Sequence, residues 1–304
     1  MKYRFIEDEH EAHDTAELCE ALEVSQSAYY GWRDAEPSAR EQDDEHYKER
    51  ILWLHKQAKG SYGHRPIYEH LQEDGFDCGR DRTLRLMKEM NIEGLQKKRF
   101  KPFGTDSAHA FGYSPNLFKA LGNPTQCNQV WVADTTYLET RQGWMYLATV
   151  MDLFSRRIIG WSISWHNDTD LVCQALKAAV LTRGSIPDGI IHHSDRGSTY
   201  ASHRYQRLLN RFKMNSSMSA KGNCYDNAAM ESFYGRYKTS AVRGHVFVDE
   251  NQLRANVFNY IEVFYNRFRK HSSLGYKNPM QLEAECFPHI GGIKEVTCTT
   301  HNNH

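Results

Sequence analysis

The sequence contains no pair of cysteines at metal-ligand spacing. Its seven, Cys19, Cys78, Cys127, Cys173, Cys224, Cys286 and Cys298, are scattered without a single C-x-x-C, which argues against a zinc ribbon and against a secreted disulfide scaffold. There is also no run of about 18 apolar residues to span a membrane, and the opening Met1-Lys2-Tyr3-Arg4 begins no apolar leader. A soluble, cytoplasmic chain without a membrane partner is the expectation. Net charge is missing as well, since 38 Lys and Arg balance 38 Asp and Glu. That zero dissolves when the chain is divided: residues 1–50 hold 6 basic against 15 acidic groups, residues 51–103 hold 11 against 7, and the remainder carries +5. A field that attracts phosphate must come from the middle and the C-terminal two thirds. With 304 residues, 40% of them hydrophobic, two or three domains and a sizeable core are expected.

What the chain does contain is three carboxylates in unusual settings: Asp134 in VWVADTTYL, Asp195 in HHSDRGSTY and Glu231 in YDNAAMESFYGRYK. Asp134 lies in a stretch of β-branched and aromatic residues. In period-two alternation it shares a strand face with Val130, Val132, Thr136 and Leu138. That face should be mostly buried, where a carboxylate is costly unless paired or bound to metal. Taken alone, Asp134 could equally be bonded to a turn or an Arg. Asp195 ends the apolar run 189–194 and enters a turn; alone it reads as an Asx-turn or helix cap. Glu231 falls in a helical stretch, and Lys238, seven residues on, returns to nearly the same helix face two turns away. That spacing is too long for the usual four-residue ion pair, so Lys238 is better placed to meet a phosphate than to neutralise Glu231.

Three acids of this kind suit Mg²⁺ or Mn²⁺, which prefer oxygen ligands and keep several waters. Two such ions roughly 3.5 to 4 Å apart can serve the attacking and leaving oxygens of an in-line displacement at phosphorus. Thirty-five residues separate Asp195 from Glu231, and 60 separate Asp134 from Asp195. The blocks NQVWVADTTYL, MDLFSRRIIGW, HHSDRGSTY, YDNAAMESFYGRYK and FYNRFRKHSSLGYKNP, in this order from Asn128 to about Phe287, resemble the integrase core of DDE transposases, specifically the second-frame (OrfB) proteins of the IS-three family of bacterial insertion sequences. The 35-residue gap and Lys238 match the D,D-35-E arrangement and basic residue of that family. A lone D…D…E would signal nothing; five ordered blocks over half the chain are highly specific.

The resemblance implies an α/β, RNase H-like mixed-sheet core preceded by small all-α helix-turn-helix-like modules, with Asp134, Asp195 and Glu231 as catalytic residues and ligands of two Mg²⁺ or Mn²⁺ ions. It implies a DNA transposase that hydrolyses element 3′ ends and transfers them to target DNA. Its partners would be double-stranded DNA (terminal inverted repeats and target), an upstream-frame OrfA protein or its frameshift fusion, and further copies of itself on DNA at the nucleoid. The chain shows no leucine-heptad segment, which fits a second-frame product.

Along the chain, residues 1–36 read as a small helical module with two helices about Glu23-Val24-Ser25, in acidic surroundings that favour protein contact over DNA. Residues 37–44, with a Pro and a charge run, read as a linker. Residues 44–101 form a helix-turn-helix-like domain with helices at 44–59, 65–73 and 81–90. Arg65 and the closing Lys97, Lys98, Arg99 and Lys101, interleaved with Phe100, suit a phosphate backbone. Residues 102–128 read as an interdomain linker that becomes ordered on DNA or a partner subunit. The core is 129–287, and 288–304 is expected to be a disordered tail. Tyr225 and Asn227 are candidates for contacting the DNA end, and His193 and Ser194 for orienting Asp195 or a metal-bound water. Arg269, His271 and Lys277 read as flanking-DNA contacts or as packing and capping groups. Asp152, a competing carboxylate, is expected to bond the turn at 155–157. Two other readings remain: another RNase H-like nuclease, against which Lys238 and the helical modules speak, and a catalytically idle DNA-binding regulator, which has no use for three converging acids.

Overall fold

The computed structural model of the protein describes residues 2–95, 113–219 and 227–287. The chain opens with α1 (Lys2–Glu9), α2 (Thr15–Ala21) and α3 (Gln26–Arg33). The side chains of Asp14 and Ser25 cap α2 and α3 by accepting the amide N–H groups of Ala16 and Ala28. Ile6, Cys19 and Tyr29 close a small core of their own. The helix pair falls where expected, while α1 was not expected.

Next come α4 (Ala39–Gln57), α5 (His64–Glu73) and α6 (Arg80–Glu89). Here the reading of residues 37–44 as a linker is wrong. Ser38 and Glu41 form a reciprocal capping box that starts α4 five residues early. Asp44 is buried, and its carboxylate accepts from Arg82 and Arg85 of α6 at 2.7 Å each, so this charge run anchors one helix to another.

After α7 (Leu117–Leu121), the chain builds β1 (Val130–Thr140), β2 (Gly143–Asp152), β3 (Ile158–Ser164), α8 (Thr169–Arg183), β4 (Ile191–Ser194), α9 (Ser198–Ala201), α10 (His203–Arg211), β5 (Asn215–Met218), α11 (Ala228–Tyr237), α12 (Glu250–Phe258) and α13 (Pro279–Cys286). The sheet order is β3-β2-β1-β4-β5. The first three strands form an antiparallel meander, and β4 and β5 join parallel to β1. This is the mixed RNase H-like sheet anticipated from the sequence. The helices α11 and α12 each run on into a wider π-helical turn, at Lys238–Val242 and Asn259–Tyr265.

Alternation along β1 sorts its side chains between two cores. Trp131 and Ala133 pack with Leu171, Leu176, Tyr205 and Leu209 beneath α8 and α10. Val130, Val132 and Leu138 pack with Phe233, Tyr237 and Tyr260, and this cluster continues without a break to Leu54, Ile67 and Leu71 of α4 and α5. The junction is specific: Tyr62 Oη donates to the Phe268 carbonyl at 3.2 Å and accepts the Lys270 N–H at 2.8 Å.

The expected linker also differs from its reading over the described residues 113–128. Leu117 and Phe118 donate backbone N–H groups to Ser217 Oγ at 2.9 and 3.3 Å, and Ser114 bonds Ser216, so α7 is docked on β4 and β5. Asp152 behaves as anticipated. Its carboxylate accepts the N–H groups of Asn128, Phe154 and Ser155 and pairs with Arg183.

Candidate active site

Strand register brings Asp134 and Asp195 together. In the parallel β1–β4 pair, Val130, Trp131 and Val132 stand level with Ile191, His192 and His193. Ile191 lies 61 positions after Val130, and Asp195 lies 61 after Asp134. Asp195 follows directly after the end of β4, near enough for its charge to act on Asp134 of β1. Asp195 then turns back on itself, its Oδ1 accepting the Gly197 N–H at 2.9 Å. An added Cβ at Gly197 would sit 3.0 Å from that oxygen, so glycine keeps the turn tight.

Glu231 reaches the same place from the first turn of α11 and is exposed. The helix is tied to β1 by Tyr234, one turn on. Its buried hydroxyl donates to the Asp134 carbonyl at 2.7 Å and lies 2.8 Å from Thr149 Oγ1. A second tether joins Tyr200, five residues after Asp195, to the Thr135 hydroxyl at 3.2 Å. The sequence reading missed both tyrosines. The signal was available for Tyr234, because a residue three after Glu231 lies on the adjoining helix face.

The electrostatics register the convergence. Burial, then the charge of Asp195, and then that of Glu231 push the Asp134 carboxyl up to about 8, against the Thr135 N–H and the Lys238 ammonium, which favour its ionised form. Burial lowers the Lys238 ammonium, with Asp134 opposing. Its Nζ lies 4.5 Å from the centre of the Tyr137 ring.

The remaining candidates divide. Ser194 Oγ donates to the Asp195 carbonyl at 3.1 Å, while His193 Nδ1 is hydrogen-bonded to Ser217 Oγ at 2.9 Å on the β5 side. Asn227 stands at the start of α11. Arg65, in the first turn of α5, faces a cleft that Arg236 of α11 also lines. Lys97, Lys98, Arg99, Lys101 and Tyr225, like the tail 288–304, lie outside the described residues. Among the described residues, Cys127, Asp152 and Glu283 place potential metal ligands within 4.8 Å of one another. Arg157 and Arg183 already neutralise both carboxylates, so that group reads as an ion-pair network. Asp134, Asp195 and Glu231 are not gathered so tightly about one point.

A five-stranded mixed sheet of order β3-β2-β1-β4-β5 with helices packed against it, preceded by a small helical region, is the architecture of an integrase-type core. The comparisons agree. Profiles described as integrase core domains match residues 124–224 and 212–279, and one described as an HTH-like domain matches 41–100. "Transposase InsF for insertion sequence IS3A" of Escherichia coli (strain K12) is 38% identical over 285 residues, covering 93% of this chain and 98% of that relative. The "Insertion element IS600 uncharacterized 31 kDa protein" of Shigella sonnei is 40% identical over 262 residues, covering 86% and 96%. A chain of the simian T-cell lymphotropic virus intasome overlays with a TM-score of 0.45 at 15% identity, covering 83% of this chain and 80% of its own. The chain belongs to the InsF-type transposases of the IS3 family. None of its described helices is long and apolar enough to cross a membrane.

Proposed function

We propose that Asp134, Asp195 and Glu231 form the catalytic centre at which this transposase cleaves and joins DNA. The observation that supports this best is the electrostatic meeting of the three acids, the charges of both Asp195 and Glu231 acting on the Asp134 carboxyl, on a sheet whose β1–β4 register has the same 61-residue offset that separates Asp134 from Asp195. An all-oxygen donor set of three acids opposed by one ammonium fits hard divalent cations such as Mg²⁺ or Mn²⁺, two of them in this reading. When bound, the ions would activate the attacking oxygen and stabilise the leaving oxygen of a displacement at phosphorus.

The chain's own groups do the positioning. Tyr234 and Tyr200 fix α11 and the segment after Asp195 against β1, and Lys238 supplies a cation beside Asp134 for a phosphate oxygen. In the first step, water attacks the phosphorus at an element end and the P–O3′ bond breaks, leaving a 3′-hydroxyl. In the second, that hydroxyl attacks a target phosphate and displaces its 3′ oxygen, so one phosphodiester replaces another. Arg65 and the basic segment 97–101 are assigned to the DNA backbone, with Tyr225 and Asn227 at the DNA end. The division into a helical module over 1–36, a helix-turn-helix-like domain that begins with α4 and runs to 101, a connection 102–128 and a core 129–287 is part of this reading. So are an OrfA protein or fusion as partner, assembly of several copies on DNA, and work at the nucleoid.

The test is strand transfer of labelled element ends into a plasmid with Mg²⁺ or Mn²⁺, native chain against Glu231→Gln. The amide keeps the size and removes the charge. Joined products from the native chain alone support the reading. Equal joining by both chains would refute it, and DNA binding without joining by either would favour an idle regulator or a required partner.

A further inference from the structure

A cleft of about 980 Å³ opens between α5, the β2–β3 turn, α11 and the segment after Tyr265. Four arginines from these separate stretches line it: Arg65, Arg156, Arg236 and Arg269. No carboxylate is among its described lining residues. Nearby acids are committed elsewhere, Glu73 to Lys270 and Glu283 to Arg157 and Arg183. Among the described residues, none forms an ion pair with any of the four arginines.

The cluster carries three marks of a site built for an anion. Two buried polar atoms of residues that line it, Arg269 Nε and His271 Nε2, have no hydrogen-bond partner among the described residues, although buried polar groups are rarely left unpaired without a reason. Arg156 holds a left-handed backbone, φ +61°, a conformation that costs a non-glycine residue about 1 kcal/mol or more and collects at functional sites. The positive field is uncompensated: burial together with Arg269, Arg236 and Arg156 holds the His271 imidazole down to about 3, and Arg269 helps burial lower the Arg236 guanidinium. Like charges gathered this way destabilise an empty fold and favour a ligand that neutralises them.

We propose that this cleft is a DNA-phosphate site separate from the catalytic acids, in which Arg156, Arg236 and Arg269 grip the backbone of the strand presented to Asp134, Asp195 and Glu231. It rests on the reading of those acids as the point of DNA chemistry, and α11 supplies the link. Glu231 and Lys238 lie on one face of the helix line. Ser232 and Arg236, four residues apart, line the cleft on another. A helix is about 10–12 Å across with its side chains. Phosphates of one strand advance about 3.4 Å each along the duplex axis, so the gripped phosphate lies about three nucleotides from the one that reacts. Guanidinium contacts to phosphate orient the duplex without reading its sequence.

The test uses the full chain, chelator in place of divalent metal, and two duplexes, an element end and an unrelated sequence, with affinity measured by fluorescence anisotropy across a salt series. Arg236→Gln and Arg156→Gly are compared with the native chain; the glycine removes a charge and relieves the positive φ. Each is expected to lower the slope of log affinity against log salt by about 1 and to weaken both duplexes about fivefold, with a thermal midpoint no lower than native. Unchanged slopes and affinities in both variants would overturn the proposal. So would a loss confined to the element end, which means base reading, or a fall in midpoint that tracks the loss of affinity, which means a structural role. If the slopes fall while native chain and Glu231→Gln both bind and neither joins DNA, the cleft stands, and the chain is an idle regulator or needs a partner for the chemistry. Joining by the native chain with unaltered slopes in the variants sinks the cleft alone.

Discussion

Tyr234→Phe removes one oxygen from the seam between α11 and the central strand. The hydroxyl is buried, 2.7 Å from the Asp134 carbonyl, 2.8 Å from Thr149 Oγ1 and 3.3 Å from the Leu147 carbonyl. Having one proton, it donates to a carbonyl and accepts from Thr149, whose own side chain is fully buried. Deletion strands the Thr149 hydroxyl, at a cost of about 1–3 kcal/mol. At about 2–4 °C per kcal/mol for a domain of 150–250 residues, the thermal midpoint should fall by roughly 2–12 °C. Glu231 sits one turn from the lost tether, and a shift of about 1 Å at a reacting centre costs about a hundredfold in rate. Single-turnover joining should therefore drop between about fivefold and a hundredfold, with the Mg²⁺ concentration for half-maximal joining raised and affinity for duplex DNA unchanged. A merely structural role would lower the midpoint without moving that Mg²⁺ requirement. Thr149→Val in the same background is the internal check. Removing both partners leaves nothing stranded, so the double variant should be less destabilised than the two single losses added together. A Tyr234→Phe chain that melts and joins DNA like the native one, or strictly additive losses in the cycle, would refute the tether.

Glu283→Gln should be among the most destabilising single-atom changes in the core, because that buried carboxylate answers both Arg157 and Arg183 and accepts from Ser155. A loss of about 3–5 kcal/mol is expected in urea titrations, and a loss below about 1 kcal/mol would mean that water reaches the network. Gly160→Ala should prevent normal packing of α8, since the new Cβ would lie 2.3 Å from the Ala175 carbonyl and 2.4 Å from the Ala179 nitrogen. Backbone atoms cannot swing aside, so about 3 kcal/mol or more is expected, whereas Gly31→Ala, with nothing within 4 Å, should be neutral or stabilising. Acid should weaken the fold through His192, whose imidazole burial and then His193 push down to about 3. Because the folded value lies below the ordinary one near 6.5, stability is complete above about pH 6.5. It falls as pH drops toward 3, by up to about 1.4 kcal/mol per unit. A urea midpoint that stays flat from pH 6.5 to 4 would contradict this.

How far the sequence could be read depended on whether a feature repeats along one element or joins two. The strand faces were legible because alternation over 130–138 is local, and β1 covers all of that stretch. Asp44 was not legible. Its burial depends on Arg82 and Arg85, 38 and 41 residues on, and within its own segment it is one more charge in a run. The Ser38–Glu41 box was present as a local signal and was hidden by that same charge. The 60-residue spacing between Asp134 and Asp195 carried no geometric meaning until β1 and β4 paired in parallel, which brings the segment after β4 alongside the central strand. α11 shows the rule within one helix. Lys238 drew attention because seven residues bring it back to the face of Glu231. Arg236 did not, because five residues turn it about 140° away. That off-period position carries it into the cleft beside Arg156 and Arg269, residues from a turn and a helix end whose sequence distances, 80 and 33 residues, bear no relation to a helical period. A helix that separates two sites presents one of them on the face that a search for periodicity discards.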